Sequence, residues 1–235
     1  MFGNFGPYLL FVVPPLLLGM WAQWRVKRNF EKYSKVGTAA GMSGAQVARR
    51  MLDAEGLYDV KVERVAGNLT DHYDPRGKVL RLSEATHDSV SVAAAGIAAH
   101  EMGHALQDAK GYGPLVLRST LVPTVNIGQR WGTWMFMGGL LLTSFLGSQL
   151  GIYIAVAGLA LYTLVAVFAL VTLPVEFDAT RRAKALLTEH GILFKDEMDG
   201  VHAVLNAAAL TYVASAIQAI MQVAYWAFIL FGRRR

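Results

Sequence analysis

The sequence predicts a mainly α integral membrane protein with three to four transmembrane helices and a small β element in its water-exposed part. Three observations carry that expectation. The chain of 235 residues is 54% hydrophobic and only 17% charged, against roughly 25% charged in a soluble globular domain. Its positive mean hydropathy of +0.36 comes from a few long uncharged runs. The charges gather between those runs: Arg25 to Arg130 holds 15 of the 22 basic and 11 of the 17 acidic residues. The same numbers exclude a disordered, collagenous or coiled-coil chain. With no Cys at all, disulfide frameworks, iron–sulfur clusters and thiolate metal sites are excluded, so any bound metal must use His, Asp or Glu.

The first uncharged run, Tyr8 to Trp24, is about the minimum length for a hydrocarbon core of roughly 30 Å. Its basic residues Arg25, Lys27 and Arg28 follow the apolar stretch, the reverse of a cleaved signal peptide, so residues 1–24 read as a retained anchor. From Trp131 to Val175 no residue is charged over 45 positions, room for a hairpin of two spans. Its arms are Trp131–Leu146 and Leu150–Leu173, with a turn at Gly147–Gln149 and a stop at Pro174, which disfavours helix at its predecessor. Residues 131–174 thus form a transmembrane hairpin and 175–202 a new helix leaving the membrane. A last uncharged run, Ala203 to Phe231, gives residues 203–235 a fourth membrane or membrane-associated helix. Its Ala-rich first half, Leu205 to Ala219, also suits packing against protein.

Basic clusters at Arg25/Lys27/Arg28, Arg118/Arg130 and Arg181/Arg182/Lys184 place the soluble segments, 25–130 and 175–202, in the cytoplasm by the positive-inside bias. The terminal Arg233–Arg235 oppose this if the last helix crosses fully. The net charge of +5 is thereby accounted for by topology, and no nucleic-acid partner is expected. Within 25–130, Thr38 to Ala54 has helical spacing with Ser43 as cap. DVKVERV (Asp59–Val65) and KVLRL (Lys78–Leu82) alternate as strands, and the turn-rich AGNLTDHYDPRG between them predicts a hairpin. Its outer edge could receive an extended peptide through main-chain hydrogen bonds. An Ala-rich helical stretch then runs to Gln107.

That stretch contains His100, Glu101, Met102, Gly103 and His104, an instance of HExxH. Positions i and i+4 share a helix face, so both imidazoles can reach one ion. Glu101 does not ligate. It can accept a proton from the attacking water and return it to the leaving amine. With six His and eight Glu in the chain, chance produces an HExxH about once in 200 such sequences. A catalytic zinc site has three protein ligands and an open position; Glu176 in PVEFDATRRAKALL is the foremost candidate for the third, with Asp178 its nearest competitor. Tyr212 and His202 are weaker candidates as oxyanion donors, His72 is a turn histidine that could approach the cleft, and His87 and His190 read as surface residues.

At these residues the chain resembles the YugP-like neutral zinc metallopeptidases of bacterial membranes. The likeness runs through LTDHYDPRGKVLRLSEA, GIAAHEMGHALQDA, LPVEFDATRRA and LNAAALTYVASA, most of the chain. The family is similar to the HtpX-like and CAAX-prenyl-protease-like gluzincins. The resemblance implies a zincin-like catalytic domain, zinc held by His100, His104 and Glu176, and Glu101 as general base. In the broader relatives an Asp four residues after the ligand Glu supports the site; here that position is Thr180, which leaves Thr180 or Asp178 as the candidates to substitute. The expected function is zinc-dependent endopeptidase activity on membrane or membrane-proximal polypeptides, in the bacterial inner membrane with the site facing the cytoplasm. An intramembrane-cleaving protease is disfavoured because Glu84, Asp88 and Asp108 crowd the motif too closely for a 20-residue span. A non-proteolytic zinc-binding scaffold or chaperone is the alternative.

Overall fold

The computed structural model describes residues 5–232. Its elements are α1 (Phe5–Tyr33), α2 (Gly44–Ala54), β1 (Lys61–Val65), β2 (His72–Asp74), β3 (Val79–Ser83), α3 (Glu84–His87), α4 (Val92–Ala109), α5 (Gly113–Leu146), α6 (Gln149–Glu189) and α7 (Lys195–Phe231). The protein is mainly α with one small mixed sheet, as the sequence predicts. The chain divides into two units, one of residues 1–21, 117–173 and 212–235, the other of residues 22–116 and 174–211.

In the first unit, α5 and α6 pack through small residues. A Cβ on Gly139 would lie 2.5 Å from the Ala155 nitrogen, so only glycine permits this separation. Phe136, Ala155, Leu159 and Trp226 form the buried cluster, with the Phe136 and Trp226 rings stacked at 4.1 Å. Small residues that let helix backbones approach closely are the packing device of helices in lipid, where no hydrophobic drive exists between them. Among the described residues three helices are long and apolar enough to cross a membrane: α1 from Gly6, α6 and α7. The uncharged part of α5, Trp131 to Leu146, is shorter. Arg233–Arg235, which bear on the path of the last helix, lie outside the described residues.

The second unit is built around α4. Its many Ala and Gly residues let neighbours approach closely, and from Val92 to Gln107 every residue but Ile97 is buried. Ser91 caps its start, accepting from the Ala94 N–H at 3.2 Å. Ser43 caps α2 as expected, and the cap is a reciprocal capping box with Gln46; the helix begins at Gly44 and not Thr38, and Thr38 is tied instead to the Val90 carbonyl. Met51, Leu52, Leu80, Leu82, Met102, Leu187 and Leu205 meet in one core. Burial of each such side chain contributes on the order of 1.5–3 kcal/mol.

Two expectations need correction. The strands do not form the predicted hairpin: β1 pairs with β3 in parallel, and β2 pairs with β3 antiparallel, in the order β1-β3-β2. The segment read as one long turn contains a strand, because Asp71 accepts the Ser83 N–H at 2.8 Å and Tyr73 donates to Asp108 on α4 at 2.8 Å, which pin it beside β3. Burial and the Asp108 carboxylate push the Tyr73 hydroxyl pKa up, so Tyr73 stays a donor. The second correction concerns Pro174, which lies inside α6 and does not end it. Proline removes one helical hydrogen bond, but the turns beyond it are held by burial of Val175, Ala179 and Ala183, and such prolines persist where neighbours compensate. Glu176 therefore continues the helix begun at Gln149. The partition between the units falls at this proline.

The Ala-rich half of α7 packs against protein, with Leu205 and Ala207 buried in the second unit and Ala214, Ala216 and Ala219 in the first.

Candidate metal centre

The i, i+4 spacing on α4 brings His100 and His104 to one face, their ring centroids 4.8 Å apart. Glu176 comes from α6 and is 1% exposed. Its Oε2 lies 3.2 Å from Nε2 of His100 and 3.5 Å from Nε2 of His104, and one ligand atom from each residue falls within 4.8 Å of the others. Zinc bonds of about 2.05 Å at the tetrahedral angle separate neighbouring donors by about 3.3 Å, so both histidine–glutamate spacings fit. Two imidazoles and a carboxylate are borderline-to-hard donors suited to such a dication, and three protein donors leave a coordination position open.

The two helices approach closely because position 103 is glycine. A Cβ there would lie 2.6 Å from the carbonyl oxygen of Ala179, a backbone atom that cannot yield without moving α6. Gly103→Ala is therefore expected to lower stability by about 1–3 kcal/mol and to weaken zinc binding by separating Glu176 from the histidines. Thermal melts beside zinc titration check both.

Behind the ligands, Nδ1 of His100 meets the Thr180 hydroxyl at 3.2 Å and Nδ1 of His104 meets Oε1 of Gln107 at 3.0 Å. Gln107 in turn donates to the Val175 carbonyl at 2.8 Å and to Asp178 at 2.9 Å. Thr180 thus touches a candidate ligand directly, whereas Asp178 reaches one only through Gln107. Asp178 does not join the ligand group. Gln107 escaped the sequence reading; the available signal was its place three residues past His104, on the same helix face. Glu101 is buried beside the ligands and makes no hydrogen bond or ion pair among the described residues, which leaves its carboxylate available to a reactant.

His202 is exposed, and His72 is an exposed residue whose Nδ1 meets the Thr70 carbonyl at 2.8 Å. Tyr212 belongs to the first unit, where with Asn126, Gln129 and Ser215 it lines a cavity of about 320 Å³. His190 meets Glu55 and His87 meets Asp88.

Residues 8–231 match a family model described as "putative neutral zinc metallopeptidase". The chain belongs to this family. It is 44% identical over 227 residues to "Putative membrane protease YugP" of Bacillus subtilis (strain 168), an overlap of 97% of this chain and 98% of that protein. No solved structure matches. The three candidate ligands all lie inside the matched span.

Burial disfavours the charged form of His104, but Glu176, Glu101 and Gln107 outweigh it and raise the imidazole pKa above its ordinary value. Zinc must displace that proton. Affinity for zinc is therefore expected to fall on acidification from a pH above the usual imidazole range, and to level off at higher pH once His104 is neutral. Competition with a chromophoric chelator across pH 5.5–8.5 measures it; affinity unchanged down to pH 6 would contradict it.

Proposed function

We propose that this protein is a membrane-embedded zinc endopeptidase of the bacterial inner membrane, hydrolysing membrane or membrane-proximal polypeptides with Glu101 as general base and its site facing the cytoplasm. The observation that carries the reading is the convergence of both Nε2 atoms of the HExxH helix on buried Glu176, with the uncommitted Glu101 carboxylate beside them. Family membership supports the peptidase class. The membrane location is supported by three helices of sufficient length and apolarity and by the name of the Bacillus relative. The orientation rests on the basic residues that follow the uncharged runs, Arg25/Lys27/Arg28 and Arg181/Arg182/Lys184.

Zinc, when bound by His100, His104 and Glu176, supplies Lewis-acid polarisation of the scissile carbonyl and brings the pKa of water toward about 7. The chain's own residues do the rest. Glu101 takes the proton of the attacking water and, after the carbonyl carbon becomes tetrahedral, delivers it to the amine nitrogen as the C–N bond breaks. Thr180 and Gln107 hold the imidazoles by their Nδ1 edges, so that both Nε2 atoms stay aimed at one point. The buried setting of Glu101 keeps bulk water from competing for the same proton.

A scaffold that uses zinc structurally would complete its shell with a fourth protein ligand; the metal-ligand group among the described residues holds three. The test is cleavage of an unfolded reporter protein by the detergent-purified chain loaded with one equivalent of zinc. Cleavage is expected, lost on chelation and restored by zinc. Full zinc occupancy without cleavage of any unfolded reporter would favour the scaffold.

A further inference from the structure

We propose that Gln107 is a positioning residue that fixes the ring tautomer of His104 for metal binding, and that Asp178, clamped by Arg181 and Arg182, fixes Gln107 in turn. The inference rests on the metal-centre reading above and goes beyond it, since nothing in the motif or the family description assigns a role to position 107.

An amide side chain has one accepting and one donating end of nearly identical shape, so its orientation follows from its neighbours. Here they leave no choice. The Val175 carbonyl, 2.8 Å away, can only accept. Asp178, 2.9 Å away, has both carboxylate oxygens engaged by the guanidinium groups of Arg181 and Arg182, the latter at 2.5 Å, and so presents an acceptor to Gln107. Both neighbours therefore require the NH2 end of Gln107. Its carbonyl end must face His104 at 3.0 Å, which places a hydrogen on Nδ1 of that ring. A neutral ring protonated at Nδ1 presents its lone pair at Nε2, the atom directed at Glu176. Outer hydrogen bonds of this kind set which imidazole nitrogen binds a metal.

His100 lacks such a lock. Its Nδ1 partner is the Thr180 hydroxyl, which rotates and serves as donor or acceptor alike. The two histidines of one motif are thus held unequally, and the stronger constraint falls on His104. Gln107 is fully buried, so water cannot replace it. As a neutral spacer it also passes the orientation imposed by Asp178 to the ring without a further negative charge beside Glu101 and Glu176. Arg182 is itself steadied over the Tyr112 ring, 5.7 Å from its centroid, so the chain of contacts runs from the turn after α4 to Nε2 of His104.

The test measures the zinc dissociation constant of the full detergent-solubilised chain by chelator competition, beside the melting temperature of the metal-free protein. The variants are Gln107→Leu, Gln107→Glu and Thr180→Val. Leucine fills the space and abolishes the acceptor, so zinc affinity should fall about 10–100-fold. Glutamate keeps an oxygen facing Nδ1 whether or not it is ionised, so affinity should stay within about threefold. Its crowding against Asp178 should nonetheless lower the melting temperature more than leucine does. Thr180→Val should cost less affinity than Gln107→Leu. A merely structural Gln107 gives the opposite order, with Glu binding zinc more weakly than Leu, and that order would overturn the proposal. So would Gln107→Leu binding within threefold of wild type. Gln107→Met replaces the leucine variant if the latter does not fold. Failure of the wild type to bind zinc would instead overturn the metal-centre reading.

Discussion

Glu101→Gln is expected to reduce peptide-bond cleavage by about 10²- to 10⁴-fold, the range general acid–base catalysis contributes, while zinc binding stays close to wild type. Both halves of the expectation follow from position. Glu101 lies one residue on from His100, about 100° around α4, and is absent from the group whose ligand atoms converge. Glutamine keeps the volume and a hydrogen-bonding end but cannot take up a proton at neutral pH. The variant should bind substrate without turning it over, and so should co-purify with substrate from membranes. The paired measurement is single-turnover cleavage and zinc stoichiometry on the same preparation. Unchanged cleavage would remove Glu101 from the mechanism; loss of zinc would make it a ligand.

Glu176→Gln should act the other way round, abolishing both metal binding and activity. The carboxylate is 1% exposed and contacts both Nε2 atoms, and glutamine would offer the ion only a neutral amide oxygen in its place. Removing an outer partner of a ligand costs 10–100-fold in metal affinity, and loss of the ligand itself should exceed about 100-fold. In the metal-free protein Glu176 also helps to hold the His104 pKa up, so the variant should show that pKa displaced downward, measurable by histidine NMR. Near-wild-type affinity in Glu176→Gln would point to a different third ligand.

The site was more legible in the sequence than the fold around it. HExxH is a local pattern whose geometry follows from helix periodicity, so His100, Glu101 and His104 needed only the assumption of a helix. Glu176 lies 72 residues past His104, and its selection depended on the absence of cysteine and on family resemblance. Gln107 was passed over because its place three residues after His104 does not by itself single out a glutamine; its role appears only when α6 brings Val175 and Asp178 against it. The misread elements failed for non-local reasons. Strand alternation at Asp59–Val65 and Lys78–Leu82 gives faces, not partners, and the parallel pairing of β1 with β3 depends on Asp71 and Tyr73 reaching Ser83 and Asp108. Pro174 signals a break by its own chemistry, yet packing of Val175, Ala179 and Ala183 carries α6 past it.

The central claim, an open zinc centre of two imidazoles and one carboxylate, is tested most directly by zinc X-ray absorption on the loaded protein, before and after addition of a small hydroxamate. The account predicts two imidazole nitrogens and the remainder oxygen at about 2.0–2.2 Å, with the oxygen shell altered by the hydroxamate. Three or more imidazoles, or a shell that the hydroxamate leaves unchanged, would contradict it.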